Sequence, residues 1–243
     1  MIGLDKVKLK TKRHNDESNK KLFFFGTFFS IYFSWIFINF RLSPNSVTGI
    51  FFLTGLFSAA LFSFSDLLLI IFAYILWRLH IIFDICDGEV ARFTKKFSFN
   101  GAYWDYMIHS ILNPLTYASI CFATYKKFDD DVFLILALFG SIIVSQTLSV
   151  KNNYYRAMLF NNKKLKKNNN KSKDSPLKKP FVNLFIGLIS FEGFLLTYII
   201  LSSLTISKEF YLMTFSLFTI SFLMHVLVKF ILFSMQITHV KRN

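Results

Sequence analysis

The sequence predicts an all-α polytopic membrane protein with six transmembrane helices preceded by an N-terminal interfacial helix. Three observations carry that expectation. Of 243 residues, 53% are hydrophobic and 33 are Phe, and the mean hydropathy is +0.46. That much apolar surface does not fit inside one soluble core. Apolar runs recur at about 47–65, 67–86, 103–124, 132–150, 181–203 and 210–235, each near the roughly 20 residues a helix needs to cross the hydrocarbon layer. The net charge of +14 is concentrated: residues 1–21 carry net +4 and residues 151–180 net +9.

Residues 1–21 read as a basic cytoplasmic tail, too charged for the start of a cleaved signal peptide. Residues 22–42 read as a juxtamembrane helix lying in the membrane plane. Within them Gly26, Ser30 and Ser34 form a narrow stripe at four-residue spacing on an otherwise very apolar helix. A seventh crossing there would carry a basic segment to the outside. Leu42-Ser43-Pro44-Asn45-Ser46 is a turn signal, with Ser46 a candidate N-cap for the first span. Residues 43–236 then form the six-span domain, and 237–243 a second cytoplasmic tail. With the N-terminus inside, residues 87–102, the basic loop 151–180 and the C-terminus share the cytoplasmic side, as the positive-inside rule asks. The outer connections are short: 65–67, Lys126–Asp131 and 204–209. In a bacterial cell this is the inner membrane.

Composition also excludes several classes. Cys86 and Cys121 both sit in apolar runs, so there is no disulfide framework and no zinc pattern. The basic excess marks the cytoplasmic face and anionic head groups, with no nucleic acid implied.

The chemistry lies at the inner end of the second span. Asp84 and Asp87 are three apart and share a helix face, with Gly88 and Ala91 beside them and Arg92 following. The next helix presents Gly101, Asp105, His109 and Asn113 at a strict four-residue step. Facing helices would bring three carboxylates and an imidazole together. Unpaired, those carboxylates would repel one another and resist burial. A divalent cation removes both problems, and hard oxygen donors suit Mg²⁺ or Mn²⁺ and a phosphate-bearing substrate. His80 lies one turn before Asp84, either as a packing histidine or as a partner that orients that carboxylate.

The segment Asp84-x2-Asp87-Gly88-x2-Ala91-Arg92-x8-Gly101-x3-Asp105-x3-His109 resembles the signature of the class I CDP-alcohol phosphatidyltransferases, D-x2-D-G-x2-A-R-x8–9-G-x3-D-x3-D. Ser43-Pro44-Asn45-x2-Thr48 is similar to the short Pro-Asn element before that family's first span. The resemblance implies transfer of a phosphate-linked group from a CDP-activated lipid or alcohol to a hydroxyl, with release of CMP. It implies that Asp84, Asp87, Asp105 and the last motif position hold one or two Mg²⁺ or Mn²⁺ ions. Pro44, Asn45, Thr48, Gly88, Ala91 and Gly101, with Asp84 and Asp105, would meet the nucleotide. A homodimer is also implied.

The departure is His109, where the family has a fourth Asp that serves as base and metal ligand. Neutral imidazole, with an ordinary pKa of about 6.5, can do either. The sequence therefore leaves three outcomes: His109 as the catalytic base, an altered site with another base, or a silent nucleotide-binding paralogue. The expected donor is CDP-diacylglycerol and the acceptor a small polar alcohol, with or without its own phosphate. The alternative is a CDP-linked alcohol donating to a lipid hydroxyl. Arg156, just after the fourth span, and Arg92 are the candidate clamps for a phosphate on the acceptor.

Overall fold

The computed structural model describes residues 2–11, 24–97, 99–160, 189–204 and 206–241; for 24–27, 99–100, 102, 159–160 and 236–241 the backbone alone is described. Residues 12–23 of the basic tail, the Lys-rich loop from 161 onward, the start of the fifth apolar run and residues 242–243 lie outside these. The described residues hold eight helices and no strand: α1 (Leu4–Thr11), α2 (Phe24–Asn39), α3 (Pro44–Leu61), α4 (Leu67–Thr94), α5 (Phe99–Phe128), α6 (Val132–Phe160), α7 (Phe191–Ser203) and α8 (Lys208–Lys241).

Among the described residues four helical stretches are long and apolar enough to cross a membrane: Pro44–Leu61, Leu67–Thr94, Val132–Met158 and Lys208–Met235. Phe28–Asn39 and Phe191–Ser203 are apolar but shorter. At 30 residues α5 has the length. His109, Asn113, Pro114 and Thr116 interrupt its apolar run, and this dilution keeps it out of that group.

The chain divides into two compact units, residues 1–112 and 113–243. The boundary falls inside α5 beside Pro114, which has no N–H to donate to the preceding turn. In the first unit α4 is the central element, packed by α1, α2 and α3. Val7, Phe37, Ile38, Val47, Ile82, Cys86 and Val90 form its core. The Phe83 ring packs against Phe33 and Phe37 of α2 at centroid distances of 5.2 and 5.5 Å.

Local chemistry sets the helix starts. Ser43 is the N-cap of α3: its Oγ accepts from the Ser46 amide at 3.1 Å, and Pro44 takes the first helical position. This corrects the expectation that Ser46 caps the helix. Both serines suit the role, but Pro44 has no amide to lose at N1 and so fixes the start three residues earlier. Asp66 caps α4 by accepting from the amides of Leu68 and Leu69. Lys95 ends that helix in the left-handed region, at φ 57°.

The segment read as a basic tail contains α1. Eight residues are too few for an isolated helix, so docking stabilises it. Val7 and Thr11, one turn apart, are buried. The Trp35 indole donates to the Ile2 carbonyl at 2.6 Å, and the Ile2 amide to Asn39 Oδ1 at 2.8 Å.

In the second unit α6 packs on α8. Tyr117 of α5 is buried, stacked on Phe194 of α7 at 5.1 Å and bonded to Thr219 of α8 at 2.7 Å. Ser141 Oγ of α6 donates to the Pro114 carbonyl at 3.2 Å.

Candidate active site

All motif residues from Asp84 to His109 lie in the first unit, on the last third of α4 and the start of α5. His109 Nε2 stands 3.6 Å from Asp84 Oδ2 and 3.5 Å from Asp105 Oδ1. One donor atom from each of these three half-buried side chains lies within 4.8 Å of the others.

These separations exceed a good N–H···O hydrogen bond, which closes at about 3.2 Å. Ligands held about 2.1 Å from one small cation stand about 3.0–3.4 Å apart, close to the spacing seen. Asp105 Oδ1 is also buried, with no hydrogen-bond donor among the described residues reaching it. A carboxylate oxygen in that position lacks compensation unless a cation or donor arrives. The residues present therefore fit a divalent cation.

Asp87 stands outside this trio. Its Oδ2 accepts from Thr48 Oγ1 of α3 at 3.1 Å, and the same hydroxyl lies 3.0 Å from the Pro44 carbonyl. The Pro-Asn element and the second motif carboxylate are thus joined directly: Thr48 is buried, Pro44 starts the helix and Asn45 is exposed in its first turn. Gly88 lies beneath the Arg92 guanidinium, where an added Cβ would come within 3.2 Å of Nη1. Arg92 Nε donates to the Thr11 carbonyl at 2.9 Å, so this motif arginine binds the end of α1. Ala91 and Gly101 are half-buried on the two motif helices. Arg156 is carried by α6 in the second unit, where it is exposed.

The floor under His109 was only partly legible in the sequence. His80 is fully buried, with Nδ1 2.8 Å from the Phe51 carbonyl. A carbonyl only accepts, so Nδ1 carries the proton. The His80 ring sits edge-on to His109 at 5.7 Å, and Phe51 lies 5.8 Å from His109. Gly55 makes room for this packing, because a Cβ there would fall 2.7 Å from His80 Nδ1.

Glu89, a variable position inside the motif, was not singled out by the sequence at all. Its Oε1 accepts from Ser30 Oγ at 3.0 Å and its Oε2 from Ser34 Oγ at 2.7 Å. The serine stripe on α2 was visible; its partner, 55 and 59 residues away, was not. The motif segment is consequently tied to four helices: Arg92 to α1, Glu89 to α2, Asp87 to α3, and Asp84 to His109 of α5.

Helices long and apolar enough to cross a membrane, together with a carboxylate–imidazole cluster on two adjoining helices that fits a cation, define a class: a helical integral membrane protein with a candidate metal site. The chain belongs to the CDP-alcohol phosphatidyltransferase family, whose model matches residues 41–232. Among curated relatives it is similar to the bifunctional IPC transferase and DIPP synthase of Archaeoglobus fulgidus, 37% identical over 107 residues, 44% of this chain and 20% of that protein. It is also similar to the proteins of the same name from Aquifex aeolicus and Thermococcus kodakarensis. These are 30% and 32% identical over 105 residues, 43% of this chain and 24% and 23% of theirs. The chain thus spans about a quarter of these relatives' length or less.

Proposed function

We propose that the protein transfers the phosphatidyl group of CDP-diacylglycerol to the hydroxyl of a small polar alcohol and releases CMP, at the cytoplasmic face of the membrane. The observation that supports this reading best is the convergence of Asp84, Asp105 and His109 within 4.8 Å on the motif helices. In the proposed arrangement α3, α4, α5, α6, α7 and α8 cross the membrane. The shorter α2 lies in its plane, and two copies associate.

Asp84, Asp87, Asp105 and His109 are the proposed ligands of one or two Mg²⁺ or Mn²⁺ ions. When bound, such an ion neutralises the diphosphate and acts as a Lewis acid on it. The chain's own groups do the rest. Gly88, Ala91 and Gly101 present small side chains, or none, to the cytidine part, and Pro44, Asn45 and Thr48 lie along the same nucleotide. The acceptor oxygen attacks the lipid-side phosphorus. A new P–O bond forms as the bond to the bridging oxygen breaks, and CMP leaves with that electron pair. The hydroxyl proton goes to His109. Its Nε2 serves as base in states where it does not bind the ion. If the acceptor bears a phosphate, the Arg92 guanidinium above Gly88 is its clamp in this unit.

The test is CMP release and lipid product formation by the purified protein with Mg²⁺ or Mn²⁺, labelled CDP-diacylglycerol and a broad panel of alcohols. Labelled lipid product with equimolar CMP supports the reading, and no CMP from any alcohol sinks it. Product formed instead from a CDP-linked alcohol and diacylglycerol reverses donor and acceptor.

A further inference from the structure

We propose that Glu89 is a positioning residue: its grip on Ser30 and Ser34 sets the height and rotation at which α4 presents Asp84 and Asp87. This rests on the reading above that those carboxylates serve a metal. Ser30 and Ser34 are fully buried and one turn apart on α2, and each donates to a different Glu89 oxygen, at 3.0 and 2.7 Å. Cys86, one turn before Glu89, donates Sγ–H to the Ser30 carbonyl at 3.3 Å. These bonds involve one face of α4, while Thr48 holds Asp87 on another.

Adhesion between α2 and α4 does not require a carboxylate. Phe33, Phe37 and Phe83 already pack there, and a carboxylate in such surroundings is costly to desolvate. A polar contact within an apolar interface specifies register better than it adds adhesion. The two-point grip has that property. Sliding α4 by one residue moves it about 1.5 Å and turns it about 100°, which breaks both bonds. Metal and catalytic constellations tolerate only about 0.5 Å. The grip therefore separates registers that matter to Asp84 and Asp87 and that the phenylalanines alone would not distinguish.

The experiment compares wild type with the all-apolar triple variant Ser30→Ala, Ser34→Ala, Glu89→Leu. It reads thermal stability in detergent, Mn²⁺ affinity by EPR titration, and kcat for CMP release. The triple variant removes both hydroxyls together with the carboxylate they hold, so its Tm is expected to equal or exceed that of wild type. Its Mn²⁺ dissociation constant is expected to rise, and its kcat to fall, about 10-fold or more. Wild-type Mn²⁺ affinity and kcat in the triple variant would overturn the proposal and leave the function reading intact. A wild type that binds Mn²⁺ but releases no CMP defeats the function reading, and the Mn²⁺ titration alone then decides about Glu89. A wild type that binds no Mn²⁺ overturns both. If the triple variant does not fold, Glu89→Gln and Ser34→Ala carry the same readouts: weakened Mn²⁺ binding in both supports the grip, and unchanged binding in both overturns it.

Discussion

Thr48 Oγ1 of α3 donates to Asp87 Oδ2 of α4 at 3.1 Å. This bond joins the Pro-Asn element to the second motif carboxylate and orients an oxygen that an ion would use. Thr48→Val keeps the shape of the side chain and removes the donor. Loss of a partner that orients a metal ligand costs about 10–100-fold in affinity or activity. The half-saturating Mn²⁺ concentration for CMP release should rise within that range. Unchanged metal dependence would show that Thr48 serves only the turn at Pro44.

Gly55 is set by packing. An added Cβ would meet Leu112 Cδ1 and lie 2.7 Å from His80 Nδ1. Leu112 has a flexible end that can yield. The His80 ring cannot, since it is bonded to the Phe51 carbonyl and packed against Phe51 and Trp77 at 5.0 and 5.1 Å. Overpacking of this kind costs about 1–3 kcal/mol. Gly55→Ala should lower the Tm in detergent and, by displacing His80, disturb His109. Gly49→Ala, with open space around its added Cβ, is the control and should leave both unchanged.

The sequence displayed what is periodic. Asp84 and Asp87, then Gly101, Asp105 and His109, could be placed on helix faces because three- and four-residue steps define a face. That the two faces meet was implied by the family signature alone. The contacts that came as additions are those set by tertiary neighbours: Glu89 with the α2 serines, Gly55 with His80, Thr11 with Arg92. Each joins positions at least 25 residues apart, where no local pattern reports a partner. Helix α1 was hidden for a related reason, since eight residues carry too little periodicity to declare a helix that exists by docking.

At the opposite end of α5, the loop residue Asp130 accepts from Lys208 Nζ at 2.9 Å and from the Val132 amide at 3.0 Å. The Lys208 bond, then the amide, holds the Asp130 carboxyl below its ordinary value. A carboxyl depressed on folding contributes stability above its unfolded pKa, about 3.9, and loses it as pH falls through the lower folded value. Between pH 5 and 8 this pair should therefore impose no pH dependence. The pair lies at the surface with Asp130 half-buried, and surface ion pairs contribute little. Asp130→Asn should shift the Tm only slightly at pH 7, and that shift should shrink further as pH falls below the unfolded value of about 3.9. A large shift at neutral pH would mean that this end of the unit depends on the contact.

His109 decides between catalysis and silence. If its imidazole takes the hydroxyl proton, activity requires the neutral form, so the rate should fall as pH drops through the range in which that imidazole takes up a proton. His109→Asp restores the family's carboxylate and should keep CMP release while moving that acidic limb downward, toward the carboxylate range. His109→Ala removes both a base and a metal donor. Loss of a general base alone costs about 10²–10⁴-fold, and the lost ligand adds a weaker response to Mn²⁺. The two roles separate in the data. An acidic limb that does not move in His109→Asp assigns the proton to another group. Full activity in His109→Ala at saturating Mn²⁺ removes His109 from the chemistry. The third outcome, a silent paralogue, predicts CDP binding by wild type with no CMP released, and a gain of release in His109→Asp, where the fourth carboxylate is restored beside Asp84 and Asp105.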